Sequence, residues 1–231
     1  MLFYSQGTVF NAGTDAVVNT VNCSGVMGTG LALEFRLRYP RMFEEYQRRA
    51  RAGAIRPGFV DYYVDESGLI IVNFPTKNHF ARPSKLEWIE RGLKHFVSTY
   101  GSWSFQSIAF PKLGTDHGRL NWKDVKTLME AYLRDLRVDV IICLDELPYA
   151  QGVERRMVDY LNSVSLVELA AHVKLSRSQL EAINAGRPYV RFWHLRKTRT
   201  IGLKTCEAVF AHVYAQVAST ARPDRQLKLF D

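Results

Sequence analysis

One stretch of sequence, residues 18–30, constrains the fold of this chain most. It reads VNTVNCSGVMGTG, an apolar strand that passes into a glycine-rich turn and then into a helical pattern beginning near Leu31. Glycines lack a Cβ, so the backbone can approach a ligand closely, while the free N–H groups of the first helical turn point toward it. Asn19 and Asn22 lie at the end of the strand, where ligands of open α/β sheets gather. The stretch therefore predicts a phosphate or pyrophosphate site, with an ordinary tight turn as the alternative.

Length and composition predict one α/β domain with a smaller appended unit. The chain has 231 residues, and 47% of them are hydrophobic, enough for a substantial core. Cys23, Cys143 and Cys206 lie far apart and the histidines are scattered, which argues against a disulfide framework or a zinc site and predicts a cytoplasmic location. No segment has the length of a membrane span, so no membrane partner is expected.

Strand-like and helix-like patterns alternate over the first 150 residues. The strand candidates are residues 2–4, 16–21, 59–64, 69–74, 107–110 and 138–144, and the helix candidates are residues 31–38, 42–52, 84–100 and 123–136. At the start of the third helix candidate, Ser84 and Glu87 have the spacing of a capping box. The alternation predicts a three-layer α/β/α domain over residues 1–150.

Residues 151–220 predict a small all-α domain that resembles a helix-turn-helix. Ser176 is the expected N-cap of its second helix, and a third helix is expected over residues 205–219. Arg177, Ser178 and Gln179 lie on the first exposed turn of the second helix, a place that suits DNA phosphates and base edges. Residues 151–231 carry 13 Lys and Arg against 7 acidic residues, which favours DNA contact. Helices that pack on each other or bind a protein partner are the alternative.

Two further segments carry chemistry. Residues 111–120, PKLGTDHGRL, form a second glycine loop between a strand and a helix, and residues 73–77, NFPTK, are a strand that ends in Lys77. Two such loops at neighbouring strand ends can clasp one extended diphosphate. A lysine in this place can neutralise a phosphate, or attack or stabilise an electrophilic sugar carbon, whereas a plain surface lysine is the alternative.

Together these segments resemble the macrodomain family, and within it the DarG-type DNA ADP-ribosyl glycohydrolases. The resemblance is carried by residues 19–35, NTVNCSGVMGTGLALEF, by NFPTK, by SKLEWIERGL at 84–93, and by PKLG and GRLNW within 111–122. It covers about residues 1–146. It implies a three-layer α/β/α macrodomain with a mixed sheet that binds ADP-ribose and removes it from thymidine in DNA.

The resemblance also implies roles for individual residues. Asn22 would orient the sugar near the scissile bond, and Lys77 would be the main catalytic group. Asp116 departs from the family's glycine-rich loop and is either a second catalytic group or a solvent-facing turn residue. The residues expected to line the ligand are Asn19, Gly25, Val26, Met27, Gly28, Thr29, Gly30, Thr76, Pro111, Leu113, Gly114, Thr115, His117 and Gly118. No metal or redox cofactor is expected.

The last residues hold a separate signal. Within the tail 221–231, Gln226, Leu227, Leu229 and Phe230 belong to QLKLF, which looks like the short peptide that docks on the bacterial DNA sliding clamp. The large apolar residues would fill a pocket on the clamp. A tail that folds back onto its own domain is the alternative.

The sequence as a whole predicts an ADP-ribosyl glycohydrolase that acts on ADP-ribosylated DNA, reaching single-stranded or flipped nucleotides. A DNA ADP-ribosyltransferase toxin is a candidate partner. Two alternatives stay open: a non-catalytic module that binds ADP-ribose and uses its helical part for regulation, and a glycohydrolase directed at protein or RNA adducts.

Overall fold

Six strands form one mixed sheet in the computed structural model, which describes residues 1–218. The strands are Leu2–Ser5 (β1), Ala16–Asn22 (β2), Asp61–Val64 (β3), Ile70–Lys77 (β4), Ser107–Pro111 (β5) and Asp139–Cys143 (β6). Their order is β1-β6-β5-β2-β4-β3, and all neighbours are parallel except β3, which runs antiparallel to β4. The predicted mixed sheet is confirmed. The clamp-like peptide at Gln226 to Phe230 lies outside the described residues.

Within residues 1–218, four α-helices accompany the sheet and four follow it. They are Gly30–Arg38 (α1), Pro40–Arg51 (α2), Leu86–Thr99 (α3), Trp122–Leu133 (α4), Gly152–Ser163 (α5), Leu166–His172 (α6), Arg177–Ala185 (α7) and Leu203–Ala218 (α8). The chain divides into a first unit, Met1–Asp145, and a second unit that begins at Glu146. No helix within residues 1–218 is long and apolar enough to cross a membrane.

The sheet of the first unit separates two apolar clusters, which makes the unit three-layered. Side chains of a strand alternate between its two faces. Along β2, Val18 packs with Ile89 of α3 and Met129 of α4 in one cluster. Val17 packs with Tyr46 of α2 in the other cluster. The predicted α/β/α architecture is therefore confirmed, with α3 and α4 on one face and α1 and α2 on the other.

The predicted capping box at Ser84 is wrong. Helix α3 begins at Leu86, and its N-cap residue, Lys85, makes no side-chain cap hydrogen bond. Ser84 is buried, and its backbone N–H donates to the carbonyl of Gly118 at 3.0 Å. The contact with the second glycine loop has displaced the local capping arrangement.

The second unit is held together by a buried ion pair. Arg191 Nε lies 3.0 Å from Glu154 Oε1, and the backbone N–H of Phe192 donates to the same oxygen at 2.9 Å. Glu154 is almost fully buried in α5, and Phe192 packs edge-to-face on Phe210 of α8 at a ring distance of 5.1 Å. This pair fixes the segment between α7 and α8 on α5.

Candidate active site

The carboxyl ends of β5, β2 and β4 place three loops side by side at one edge of the sheet. In open α/β sheets this edge is where ligands bind. The strand register pairs Asn22 with Lys77, the last residues of β2 and β4, after an irregularity between Val21 and Asn22. The backbone N–H of Cys23 then donates to the carbonyl of Asn78 at 3.3 Å. The two residues predicted to act on the sugar therefore lie on adjacent strands at the same level.

Asn22 shapes the first glycine loop from within. Its Nδ2 donates to the carbonyl of Val26 at 2.5 Å, and its Oδ1 accepts from the backbone N–H of Ser24 at 2.9 Å. The Tyr46 hydroxyl donates to the carbonyl of Asn22 at 2.5 Å. The amide therefore holds the turn, as short polar side chains often do, and its predicted role of orienting the sugar stays a prediction.

Several of the predicted ligand contacts lie beneath the loops. Asn19 Nδ2 donates to Asn73 Oδ1 at 3.0 Å and faces Met27 Sδ at 3.8 Å, and both Asn19 and Met27 are fully buried. Thr76 is buried as well, and its hydroxyl donates to the carbonyl of Val21 at 3.5 Å. Leu113 is fully buried. These side chains support the loops from below and do not line an open surface.

The second glycine loop is built around contacts that leave no room for a side chain. Gly114 has a φ of +65°, and its carbonyl accepts from the N–H of Leu120 at 3.1 Å. A Cβ on Gly118 would lie 2.1 Å from that same carbonyl oxygen and 2.5 Å from Ser84 Oγ. Ser84 Oγ is buried and has no hydrogen-bond partner within residues 1–218. Ser84 is a supporting residue that sequence reasoning assigned to the helix instead.

The two glycine loops meet at Gly30. This residue has a φ of +57°, and a Cβ there would lie 3.1 Å from His117 Cδ2 and 3.7 Å from Asp116 Oδ2. Helix α1 begins at Gly30, and its N-cap, Thr29, makes no side-chain cap hydrogen bond. The N–H groups of its first turn are thus uncapped by side chains, the arrangement that favours an anion. Gly25, Gly28 and Thr115 lie in the same two loops, and Pro111 is the last residue of β5.

Partial burial and two nearby charges shift the pKa of Lys77. Its Nζ donates to the carbonyl of Phe80 at 3.4 Å. Partial burial lowers the pKa of Lys77, the positive charge of Arg119 lowers it further, and the carboxylate of Asp116 opposes both effects. Sequence reasoning missed Arg119, which has the left-handed φ of +63° in the second loop. A lowered pKa increases the fraction of free amine, which is the nucleophilic form.

Two other titratable groups lie in or next to the glycine loops. The Asp116 side chain is 86% exposed and lies 3.7 Å from His117 Nε2, and its carboxylate acts on the pKa of Lys77. Burial raises the pKa of the Cys23 thiol to about 11, so it is protonated at neutral pH. Within residues 1–218 no three His, Cys, Asp or Glu side chains form a group that could hold a metal ion.

The residues predicted to contact DNA lie at the start of α7. Ser176 and Gln179 form a reciprocal capping box, and Gln179 Nε2 also donates to Thr205 Oγ1 of α8 at 3.1 Å. Gln179 therefore holds helices together. Arg177 and Ser178 are exposed, with Arg177 Nε donating to Glu181 Oε1 at 2.8 Å.

Comparisons with known proteins agree with the fold and the glycine loops of the first unit. The Macro domain family model matches residues 18–129. A DNA ADP-ribosyl glycohydrolase of Mycobacterium tuberculosis is 40% identical over 148 residues, which are 62% of this chain and 42% of that protein. One of Thermus aquaticus is 38% identical over 140 residues, covering 59% of this chain and 39% of that protein. The chain thus spans less than half the length of these curated relatives.

Solved structures give the same result. The macrodomain of Mycobacterium tuberculosis DarG superposes with a TM-score of 0.60 at 38% identity, covering 62% of this chain and 97% of that one. Thermosipho africanus DarTG in complex with ADP-ribose gives a TM-score of 0.60 at 30% identity, covering 67% of this chain and 44% of that one.

Proposed function

The chain belongs to the macrodomain family, and on that premise we propose that it is a DNA ADP-ribosyl glycohydrolase that removes ADP-ribose from thymidine bases. One observation carries the proposal: Lys77 is paired in register with Asn22 where two glycine loops meet. The names of the relatives at about 40% identity support DNA as the carrier of the adduct. A module that only binds ADP-ribose would not need a lysine of lowered pKa at this point.

The proposed reaction places the diphosphate between the first turn of α1 and the loop from Gly114 to Gly118. Breaking the bond between ribose C1 and the base nitrogen builds positive charge on C1, so positioning and electrostatics dominate the barrier. The free amine of Lys77 forms a bond to C1, which leaves a positive charge on Nζ, as the bond to the base breaks, and the departing base takes up a proton from solvent. Water then displaces Lys77 from C1, which releases ADP-ribose and restores the amine. In this proposal Asp116 accepts the proton of that water.

Turnover of an oligonucleotide that carries thymidine-linked ADP-ribose tests the proposal. Wild-type protein is expected to release free ADP-ribose and restore thymidine, and Lys77→Ala is expected to abolish release while keeping the melting temperature. Lys126→Ala, on the exposed face of α4, is the matched control and should keep full turnover. Saturable binding without release would favour a reader of ADP-ribose. Faster release of ADP-ribose from protein or RNA adducts would show that protein or RNA, and not DNA, carries the substrate.

We also propose that the second unit brings the enzyme to DNA. Arg177 and Ser178 remain exposed, and Arg196, Lys197 and Arg199 have no carboxylate within 4.0 Å among residues 1–218. Cations without partners suit phosphate contacts, which make binding fall steeply with salt. Replacing Arg196, Lys197 and Arg199 together by glutamine should lower the number of counterions released on DNA binding by about three. This number is read from the salt dependence of the Kd, measured by fluorescence anisotropy.

Two partners are part of the proposal. A relative in Thermosipho africanus, 31% identical over 157 residues, is a DNA ADP-ribosyl transferase-DNA ADP-ribosyl glycohydrolase fusion protein. This supports a DNA ADP-ribosyltransferase as the source of the substrate. The peptide from Gln226 to Phe230 stays a prediction of clamp docking, to be tested by titrating the chain, with and without Phe230→Ala, against purified sliding clamp.

A further inference from the structure

Two aromatic rings stand in solvent immediately after Lys77. The ring of Phe80 is 50% exposed, unlike most large apolar side chains of the first unit. The ring of His79 lies against it, with ring centroids 4.4 Å apart and an angle of 32° between the planes. Neither ring has a part in the glycosidic cleavage described above. We call these two rings the His79–Phe80 pair.

Hydrogen bonds fix the His79–Phe80 pair relative to the amine. His79 Nδ1 accepts from the backbone N–H of Ala81 at 3.2 Å, and the carbonyl of His79 accepts from the N–H of Arg82 at 3.0 Å. The carbonyl of Phe80 accepts from Lys77 Nζ at 3.4 Å. The rings and the amine therefore belong to one ordered turn, so a group bound on the rings has a defined distance to Lys77.

Positive charge accompanies the rings. Arg82 and Lys85 are exposed, and Arg82 has no carboxylate within 4.0 Å among residues 1–218. Lys85 Nζ lies 5.1 Å from the centre of the Trp88 ring and 3.6 Å from Glu87 Oε1. Aromatic faces next to exposed cations are the recognition chemistry of single-stranded nucleic acid, where bases stack and phosphates are neutralised. A single exposed aromatic residue would need no such explanation, but a fixed pair with flanking cations does.

We propose that the His79–Phe80 pair is a stacking platform for the leaving nucleobase of the substrate, and that Arg82 contacts the phosphate beside that base. The inference rests on the proposed function, since the base nitrogen bonded to ribose C1 must lie next to the amine of Lys77. A base seated on the rings would be held outside the ADP-ribose site and away from its partner strand. The platform thus selects unpaired nucleotides as substrates.

Three variants test the platform. Phe80→Ala should lower kcat/KM on an ADP-ribosylated single-stranded oligonucleotide about tenfold, the effect typical of one lost stack. Phe80→Trp should preserve kcat/KM, and neither variant should change the Kd of free ADP-ribose measured by calorimetry. Phe59→Ala is the matched control, because Phe59 is 44% exposed and also packs on a histidine, His95 of α3, edge-on at 5.1 Å.

The outcomes separate the platform from the proposed function. The platform is refuted if Phe80→Ala and Phe59→Ala have the same kcat/KM. It is also refuted if Phe80→Ala weakens the binding of free ADP-ribose by the same factor as it lowers kcat/KM. If wild-type protein releases no ADP-ribose, the proposed function fails and the platform is judged by binding alone. Anisotropy of an unmodified single-stranded oligothymidine should then show about tenfold weaker binding for Phe80→Ala. Equal binding by wild type and variant would refute the platform in that case.

Discussion

Replacing Gly118 by alanine tests whether the second glycine loop depends on a contact too close for any side chain. The added Cβ would lie 2.1 Å from the carbonyl oxygen of Gly114 and 2.5 Å from Ser84 Oγ. The carbonyl belongs to the backbone and is already held by the N–H of Leu120 at 3.1 Å, so it cannot rotate away as a flexible side chain would. The loop must therefore open for the variant to fold.

The cost follows from the two consequences of that opening. Forcing an extra carbon into a packed site costs about 1–3 kcal/mol. The hydrogen bond from the N–H of Ser84 to the carbonyl of Gly118, 3.0 Å long, is then strained or lost, which adds about 1 kcal/mol. In a unit of this size each kcal/mol lowers the melting temperature by about 2–4 °C. We expect a fall of roughly 4–16 °C for the first unit.

Differential scanning calorimetry of the full chain measures this fall, and two glycines provide controls. At Gly101 nothing lies within 4 Å of an added Cβ, so Gly101→Ala should leave the melting temperature unchanged. At Gly28 the nearest atom is Val26 Cγ1 at 3.7 Å, so Gly28→Ala should fold normally but bind ADP-ribose more weakly if the first loop contacts the ligand. A melting temperature for Gly118→Ala equal to that of Gly101→Ala would refute the reasoning.

Three further perturbations have defined outcomes. Asn22→Ala removes the hydrogen bonds to Ser24 and Val26 and should lower the free energy of unfolding by about 1–3 kcal/mol in urea titrations; an unchanged midpoint would contradict the role of Asn22 in the turn. Single-turnover release should increase with pH as Lys77 loses its proton, at a pKa below the ordinary lysine value, and Arg119→Ala should raise that pKa and shift the profile to higher pH. Identical pH profiles for wild type and Arg119→Ala would show that Arg119 does not influence the pKa of Lys77. Glu154→Ala removes the buried carboxylate that accepts from Arg191 Nε and from the Phe192 N–H and should destabilise the second unit by about 3–5 kcal/mol; a loss under 1 kcal/mol in calorimetry would show that the pair is dispensable.

Much of the fold could be predicted because hydrophobic periodicity is a local property. The predicted strand 16–21 and helix 31–38 match β2 and α1 to within one residue at each end. Strand direction is not local, and nothing in the sequence pattern distinguished β3 as the antiparallel edge strand. The strand candidate 69–74 is shorter than β4, but the segment NFPTK was also predicted to be a strand that ends in Lys77, and β4 does end there. That end brings Lys77 level with Asn22.

The supporting residues of the site could not be predicted, because their contacts join distant parts of the chain. Ser84 has the local spacing of a capping residue, yet its contact with Gly118, 34 positions away, determines its conformation. The same holds for Arg119, whose charge reaches Lys77. Motif resemblance located the loops, while the division between residues that line the site and those that support it required the three-dimensional structure.

The tight turn between β3 and β4 offers a place to attach a label or a solid support. Gly68 donates its N–H to the carbonyl of Asp65 at 2.9 Å, and the turn lies at the other end of β4 from Lys77, about 25 Å away at the rise of an extended strand. Among the native cysteines, Cys143 and Cys206 are buried and Cys23 is half-buried. A thiol introduced by Ser67→Cys would therefore react first with a maleimide, and an immobilised protein would present the edge that carries Lys77 away from the surface.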